Sequence, residues 1–133
     1  MKISAGGRIL DAGCGSGRDS LAFMRKGYQV VSIDASGEMV AAASRLTGQS
    51  AVLMRFDEVA FDGEFDADWA CASLLHVARR DLQSAVGRMV LAASASQIVS
   101  SDLEIFLAML VFYHSRKADG AQERSFVFTA AHK

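Results

Sequence analysis

Proline is absent from all 133 residues, cysteine occurs only twice, and neither sign of charge dominates. Each scarcity removes a class of protein. Cys14 and Cys71 lie far apart, neither with a second cysteine or a histidine at ligand spacing. A zinc site and a disulfide framework are therefore unsupported, and two reduced thiols fit a cytoplasmic protein. Lysine and arginine total 14 against 15 acids, a formal charge of −1. That balance leaves no electrostatic footprint for nucleic acid or an anionic membrane surface. The N-terminal MKISAGGR lacks the apolar core of a signal peptide. The longest strongly apolar stretch, Ile105–Tyr113, is half of what a membrane-spanning helix needs and reads as buried core.

What is present is core-forming material. Half of the chain is hydrophobic and 22% is charged, which suits one globular domain over residues 1–133. Arg8–Asp11 is a short run, apolar at Ile9 and Leu10, that stops at glycines. Asp19–Lys26 reads as a helix closed by Gly27, and Tyr28–Ile33 as a β-branched strand before Asp34. Glu38–Leu46 has apolar residues at helical spacing, followed by strand candidates at Ala51–Phe56 and Phe65–Ala72. In Asp81–Ala92, Leu82, Ala85, Val86, Met89 and Val90 form one amphipathic face, weakened by Gly87. Alternating strand and helix predict an open, mostly parallel sheet with helices on both faces. Ligands of such sheets bind at the C-terminal strand edge, where the strand order reverses.

The stretch ILDAGCGSGRD, residues 9–19, carries Gly13, Gly15 and Gly17 between the first strand and first helix. These glycines admit three readings: a structural turn, a phosphate cradle, or the seat of another nucleotide-like ligand. Asp34 follows a strand 23 positions after Asp11, where a carboxylate can accept from both ribose hydroxyls. The pattern is G-x-G-x-G, and Arg18 stands where a dinucleotide fold has its last glycine. No Gly-Lys-Ser/Thr follows, which excludes a P-loop. A ribose-bearing ligand other than a dinucleotide fits best.

ILDAGCGSGRDSLAF resembles motif I of class I S-adenosylmethionine-dependent methyltransferases, and SIDASGEMVAAAS resembles their motif II region. FDADWACASLLHV, residues 65–77, is similar to the fourth-strand motif of the tellurite-resistance-like small methyltransferases. The likeness runs from Gly7 to about Met89 and returns, more weakly, in residues 111–129, which resemble that group's fifth strand and the segment after it. It implies a Rossmann-like three-layer sandwich, S-adenosyl-L-methionine as cofactor, and methyl transfer to a small-molecule acceptor.

Carried over position by position, the resemblance implies that Asp11 orients the turn and the ligand's amino group. Gly13, Cys14, Gly15 and Gly17 would pass beside the methionyl moiety, with Arg18 and Asp19 as a charged pair at the helix start. Asp34 would hold the ribose, with Ala35 and Ser36 beside the adenosine and Phe56 and Asp57 near the adenine ring. Cys71, Ala72 and Ser73 would flank the transferable methyl, and Leu74–Val77 would begin the acceptor side. A sulfonium is already an activated donor, so His76 is the one candidate base, needed only if the acceptor must lose a proton.

Each feature has a plainer reading. Asp34 could cap a helix, Cys14 and Cys71 could be small core residues, and His76 could be a packing residue. Trp69 reads as core, and His114 and His132 carry no assignment. Asp62, Glu64, Asp66 and Asp68 alternate, and they read as a solvated loop entering the fourth strand rather than as a metal site.

The sequence also departs from the family pattern. The chain begins close to the first strand, so the covering N-terminal helices are expected to be missing, and little follows for the last strands. Where the family has a Lys-Pro-Gly-Gly-like turn, this chain has ASASQIVSSDLEIFLAML, without proline or glycine. That stretch reads as an added helix, Asp102–Leu110, capped by Ser101 or Asp102, or as a local change of reading frame. A sheet of about five strands with an uncovered edge predicts a homodimer or a marginally stable monomer. The expected function is methyl transfer. A non-catalytic cofactor-binding domain is the main alternative, and an NAD-dependent oxidoreductase is disfavoured by Arg18.

Overall fold

The computed structural model describes residues 4–70, 77–92, 97–100 and 127–130. In chain order the elements are β1 (Arg8–Ala12), α1 (Arg18–Arg25), β2 (Gln29–Asp34), α2 (Gly37–Thr47) and β3 (Val52–Leu53). A 3-10 turn at Phe56–Glu58 precedes β4 (Ala67–Trp69), α3 (Arg79–Ala92), β5 (Gln97–Ser100) and β6 (Val127–Ala130). The strands form one sheet in the order β3-β2-β1-β4-β5-β6, with every pairing parallel. The chain steps outward from β1 to β3 and then returns to the other side of β1. The reversal therefore falls between β1 and β4, the place where open parallel sheets bind ligands.

β1 is central and buried on both faces, which is why Ile9 and Leu10 are consecutive apolar residues rather than alternating ones. On one face Leu10, Ile33, Val59 and Phe65 pack with Ala85, Val86, Met89 and Ala92 of α3. The sequence-predicted apolar face of that helix is thus the one in the core. On the other face Phe23 of α1 meets Trp69 edge-on, with ring centroids 5.4 Å apart. Ser36 caps α2, its hydroxyl accepting the Met39 N–H at 3.4 Å, and Gly48 ends that helix in the left-handed region. Among the described residues, no helix is long and apolar enough to cross a membrane.

The mostly parallel α/β sandwich matches the sequence expectation, but several boundaries do not. The third strand has two residues rather than Ala51–Phe56. The Arg55 N–H donates to Glu58 Oε1 at 3.0 Å, which curls Phe56 into the 3-10 turn. The fourth strand is Ala67–Trp69, and Cys71 and Ala72 lie outside the described residues. The expected fifth strand within residues 111–129 is corrected. QIVS at Gln97–Ser100 is the fifth strand, pairing with Asp68 and Trp69, and Val127–Ala130 is a sixth. The Asp102–Leu110 helix also lies outside the described residues. Asp62, Glu64 and Asp66 are exposed as expected, whereas Asp68 is not solvated at all. Register sets it beside Leu10 in the sheet interior.

Candidate functional site

The glycine turn is built around one carbonyl and one carboxylate. The N–H groups of Gly13 and Cys14 both donate to the Ile33 carbonyl, at 2.8 and 2.9 Å, which ties the end of β1 to the end of β2. The Gly15 N–H donates to Asp34 Oδ2 at 2.9 Å, and the Ser36 N–H donates to Asp34 Oδ1 at 2.9 Å. Gly13, Gly15 and Gly17 all have positive φ (73°, 55° and 88°), which side-chain-bearing residues rarely adopt. Gly17 has a second constraint, since a Cβ there would lie 3.0 Å from Cα and Cβ of Ala43. The start of α1 therefore packs directly against Ala43 of α2.

Beyond the strand ends lies a cavity of about 700 Å³, within the usual range for a small-molecule site. Gly13 and Gly15 line it after β1, and Asp34, Ala35 and Met39 after β2. Arg55, Phe56 and Asp57 line it after β3, and it is closed by Val77 and Ala78 just before α3 and by Asp81, Ser84 and Ala85 on that helix. Of the residues singled out in the sequence, Gly13, Gly15, Asp34, Ala35, Phe56, Asp57 and Val77 are brought together here. Cys71, Ala72, Ser73 and His76 lie outside the described residues.

The remaining predicted residues that the structure describes stand around the turn, outside the cavity lining. Asp11 is 2% exposed, and its Oδ2 accepts the Ser20 hydroxyl at 2.6 Å. Ser20 Oγ is also 2.7 Å from Ser32 Oγ, making a buried polar chain between α1, β1 and β2. Burial pushes the Asp11 carboxyl up to about 6, against the opposing effect of the Ser20 hydrogen bond. Cys14 is buried, and desolvation, with the charges of Asp11 and Asp34, pushes its thiol up to about 12. It is a packing residue with no thiolate chemistry near neutral pH. Arg18 is exposed at the start of α1, and the neighbouring Asp19 accepts from Trp69 Nε1 at 3.0 Å. Ser36 is the α2 cap. Among the described residues, no group of three acidic, cysteine or histidine side chains could hold a metal ion.

Sequence reasoning missed Arg55 and, beyond Val77, the lining residues Ala78, Asp81 and Ser84. Arg55 makes a forked pair with Asp57, Nε to Oδ1 at 3.0 Å and Nη2 to Oδ2 at 2.8 Å. The hydrogen bond from Arg55 holds the Asp57 carboxyl below its ordinary range. On α3, Asp81 and Ser84 lie three residues apart beside the buried face, a signal available in the sequence but overshadowed by Leu82, Val86 and Met89.

Cavity, glycine turn and strand reversal together describe a nucleotide-cofactor fold, and comparison with known proteins specifies which. Residues 9–94, well over half of the chain, match the family described as Methyltransferase domain, and the chain belongs to that family. YqeM of Bacillus subtilis (strain 168), which carries a provisional methyltransferase name, is 36% identical over 75 residues. That match covers 53% of this chain and 30% of YqeM. A TehB-like SAM-dependent methyltransferase from Corynebacterium glutamicum superposes with a TM-score of 0.63 at 24% identity. The superposition covers 70% of this chain and 52% of that one. A SAM-dependent methyltransferase from Methanosarcina mazei superposes at 0.67 and 21% identity, over 84% of this chain and 61% of its own. The chain thus spans about a third to a little over half of these relatives.

Proposed function

We infer that the cavity binds S-adenosyl-L-methionine and that the chain serves methyl transfer to a small-molecule acceptor. The observation that carries this reading is the state of Asp34. Each of its oxygens accepts one backbone N–H, from Gly15 and from Ser36. A carboxylate offers about four lone-pair positions, so two acceptor positions remain for a ribose diol. The donors that use the first two also fix the orientation of the group. Gly13 and Gly15 present backbone without side chain to the same cavity, as close approach of a ligand requires.

When bound, the cofactor supplies a methyl group activated by its sulfonium, so transfer depends chiefly on positioning and exclusion of water. Phe56 and Asp57 form the base end of the cavity in this reading, and Asp11 supports the turn from below. Asp11, Cys14, Gly17, Arg18 and Ser36 flank the cavity in this reading, around the turn and the two helix starts. Cys71, Ala72 and Ser73 beside the methyl, and His76 as base, follow from the resemblance of residues 65–77. The same resemblance supports a tellurite-resistance-like subgroup, with the acceptor drawn from small molecules because the charge of −1 gives no nucleic-acid surface. A cytoplasmic location and one domain over residues 1–133 complete the reading. A homodimer through the sheet edge is favoured by the exposure of Val52 and Leu53 on β3 and of Leu46 on α2, and size-exclusion chromatography tests it.

Parallel calorimetric titration with S-adenosylhomocysteine and NAD tests the cofactor. Binding of the former, lost in Asp34→Ala, is expected, whereas binding of NAD alone overturns the reading. Turnover with a labelled methyl donor across an acceptor panel then separates an enzyme from a binding domain.

A further inference from the structure

The α3 side of the cavity has no part in the cofactor reading. Asp81, Ser84 and Ala85 line it from positions i, i+3 and i+4, so one face of the helix carries all three. Ala85 is buried, whereas Asp81 and Ser84 are exposed and polar. Among the described residues of the lining, the acids Asp34, Asp57 and Asp81 stand against one base, Arg55. Asp34 is held by two backbone N–H groups, and Arg55 and Asp57 neutralise each other in their fork. No cation among those lining residues is left to balance Asp81. Its ion pair with Arg80 is 3.7 Å long and that arginine is 87% exposed, so the pair takes little from the carboxylate. The Asp81 N–H donates to the Ala78 carbonyl at 2.8 Å, which fixes the first turn of α3 and with it the place of the carboxylate.

We propose that Asp81 is a specificity-determining residue, through which the site selects small acceptors that carry a cationic amine and rejects carboxylates and oxyanions. The proposal rests on the reading of the cavity as an adenosyl-cofactor site, which leaves Asp81 and Ser84 to the acceptor.

A protonated amine has three donors and no acceptor, so it fits a carboxylate and a hydroxyl one helical turn apart. A carboxylate or oxyanion would set like charge against Asp81, with no spare cation among the described lining residues to offset it. The ammonium is a handle and not the nucleophile, because it has no lone pair. A second atom of the acceptor supplies the pair that bonds to the methyl carbon, while the C–S pair stays on sulfur. Any proton on that atom passes to water. Val77, Ala78 and Ala85 beside Asp81 are apolar, which suits a short hydrocarbon spacer between the two ends of the acceptor.

The test is transfer from methyl-labelled S-adenosylmethionine to matched acceptors that share a nucleophile and a spacer and differ only in the charged end. Tyramine is paired with hydroxyphenylpropionate, cysteamine with mercaptopropionate, and histamine with imidazolepropionate. The wild type, Asp81→Asn and Asp81→Glu are compared, with far-UV circular dichroism as the check that each is folded. In every pair that turns over, the wild type is expected to favour the amine in kcat/KM by roughly tenfold or more. Asp81→Asn should cut that ratio at least about threefold, and Asp81→Glu should keep most of it. An Asp81 that only stabilises the first turn of α3 would lower both members of a pair by one factor, and that unchanged ratio overturns the proposal. A wild type that prefers the carboxylates, treats both members alike or methylates no amine also overturns it. The cofactor reading still stands in those cases if calorimetry shows that S-adenosylhomocysteine binds. Absence of that binding overturns the cofactor reading and the proposal together.

Discussion

The hydroxyl of Ser20 donates to Asp11 Oδ2 at 2.6 Å, joining the first helix to the carboxylate that precedes the glycine turn. Both residues are buried, so the pair belongs to the support of the site rather than to its surface. The Asp11 carboxyl titrates at about 6 in the folded chain against 3.8 as a free side chain. Between those values the native state holds a proton that the unfolded chain has released. The contribution is therefore complete below the lower value and is lost as pH rises through about 6.

Urea unfolding at stepped pH should show stability from this group falling by about 3 kcal/mol between acid and neutral conditions. Asp11→Asn should remove that part of the slope. Ser20→Ala, which deletes the hydrogen bond that favours the ionised form, should move the carboxyl resonance of Asp11 to a midpoint above the wild-type value. A Ser20→Ala midpoint at or below it would show that the hydroxyl does not stabilise the carboxylate.

Asp68 gives a second, larger expectation of the same sign. It is 0% exposed in β4 beside Leu10, and neither carboxylate oxygen has a hydrogen-bond partner among the described residues. Burial raises its pKa well above the ordinary carboxylate range, so its proton is also held by the native state and its cost grows as pH rises. Asp68→Val supplies a β-branched apolar side chain to a strand interior and should raise stability at neutral pH by about 1–3 kcal/mol. The gain should shrink at acid pH, where the wild-type carboxyl is neutral. Asp68→Asn, which keeps unpaired polar atoms, should gain less. Equal stability of Asp68→Val and the wild type at neutral pH would contradict the assignment.

The contrast between these two acids shows what the sequence could disclose. Asp11 was legible as a residue beside the glycine turn because it lies near the end of the first strand, two positions before Gly13, and Asp34 because it ends the second strand. The order of strand and helix through Ala92 followed from periodicity and glycine stops. Asp68 was misread because its alternation with Asp62, Glu64 and Asp66 looks like a solvated run. Its burial is imposed by sheet register, a long-range property that local pattern does not contain. β5 was missed because QIVS has only two strand-favouring residues, Ile98 and Val99, and gains its identity by pairing with Asp68 and Trp69. The Arg55–Asp57 fork escaped notice because a 3-10 turn, not a helix or strand, brings residues two apart face to face.

A thiol-reagent assay should separate the two cysteines. With Cys71→Ser in the background, Cys14 should stay almost unreactive at about pH 8, since its thiol titrates at about 12 and its side chain is buried. Reactivity should appear only with denaturant, along the unfolding transition measured by Trp69 fluorescence. Fast labelling of Cys14 in the native state would mean that the glycine turn opens far more readily than its backbone bonds to Ile33 imply.

The last two glycines of the turn should fail in different ways when a methyl is added. At Gly17 a Cβ would sit 3.0 Å from both Cα and Cβ of Ala43, in addition to the left-handed strain at φ 88°. Gly17→Ala should therefore cost stability through both effects, about 2–4 kcal/mol. Adding Ala43→Gly should recover only part of this, because the Ala43 backbone and the φ value remain. At Gly15, φ is 55° and a Cβ meets no protein atom within 4 Å, which leaves only the conformational term of about 1–2 kcal/mol. Yet Gly15 lines the cavity and donates to Asp34, so Gly15→Ala should lower S-adenosylhomocysteine affinity more than it lowers the melting temperature. Thermal melts and calorimetry on both variants check the pair. Equal loss of stability in Gly15→Ala and Gly17→Ala would show that the contact with Ala43 is not what keeps position 17 a glycine.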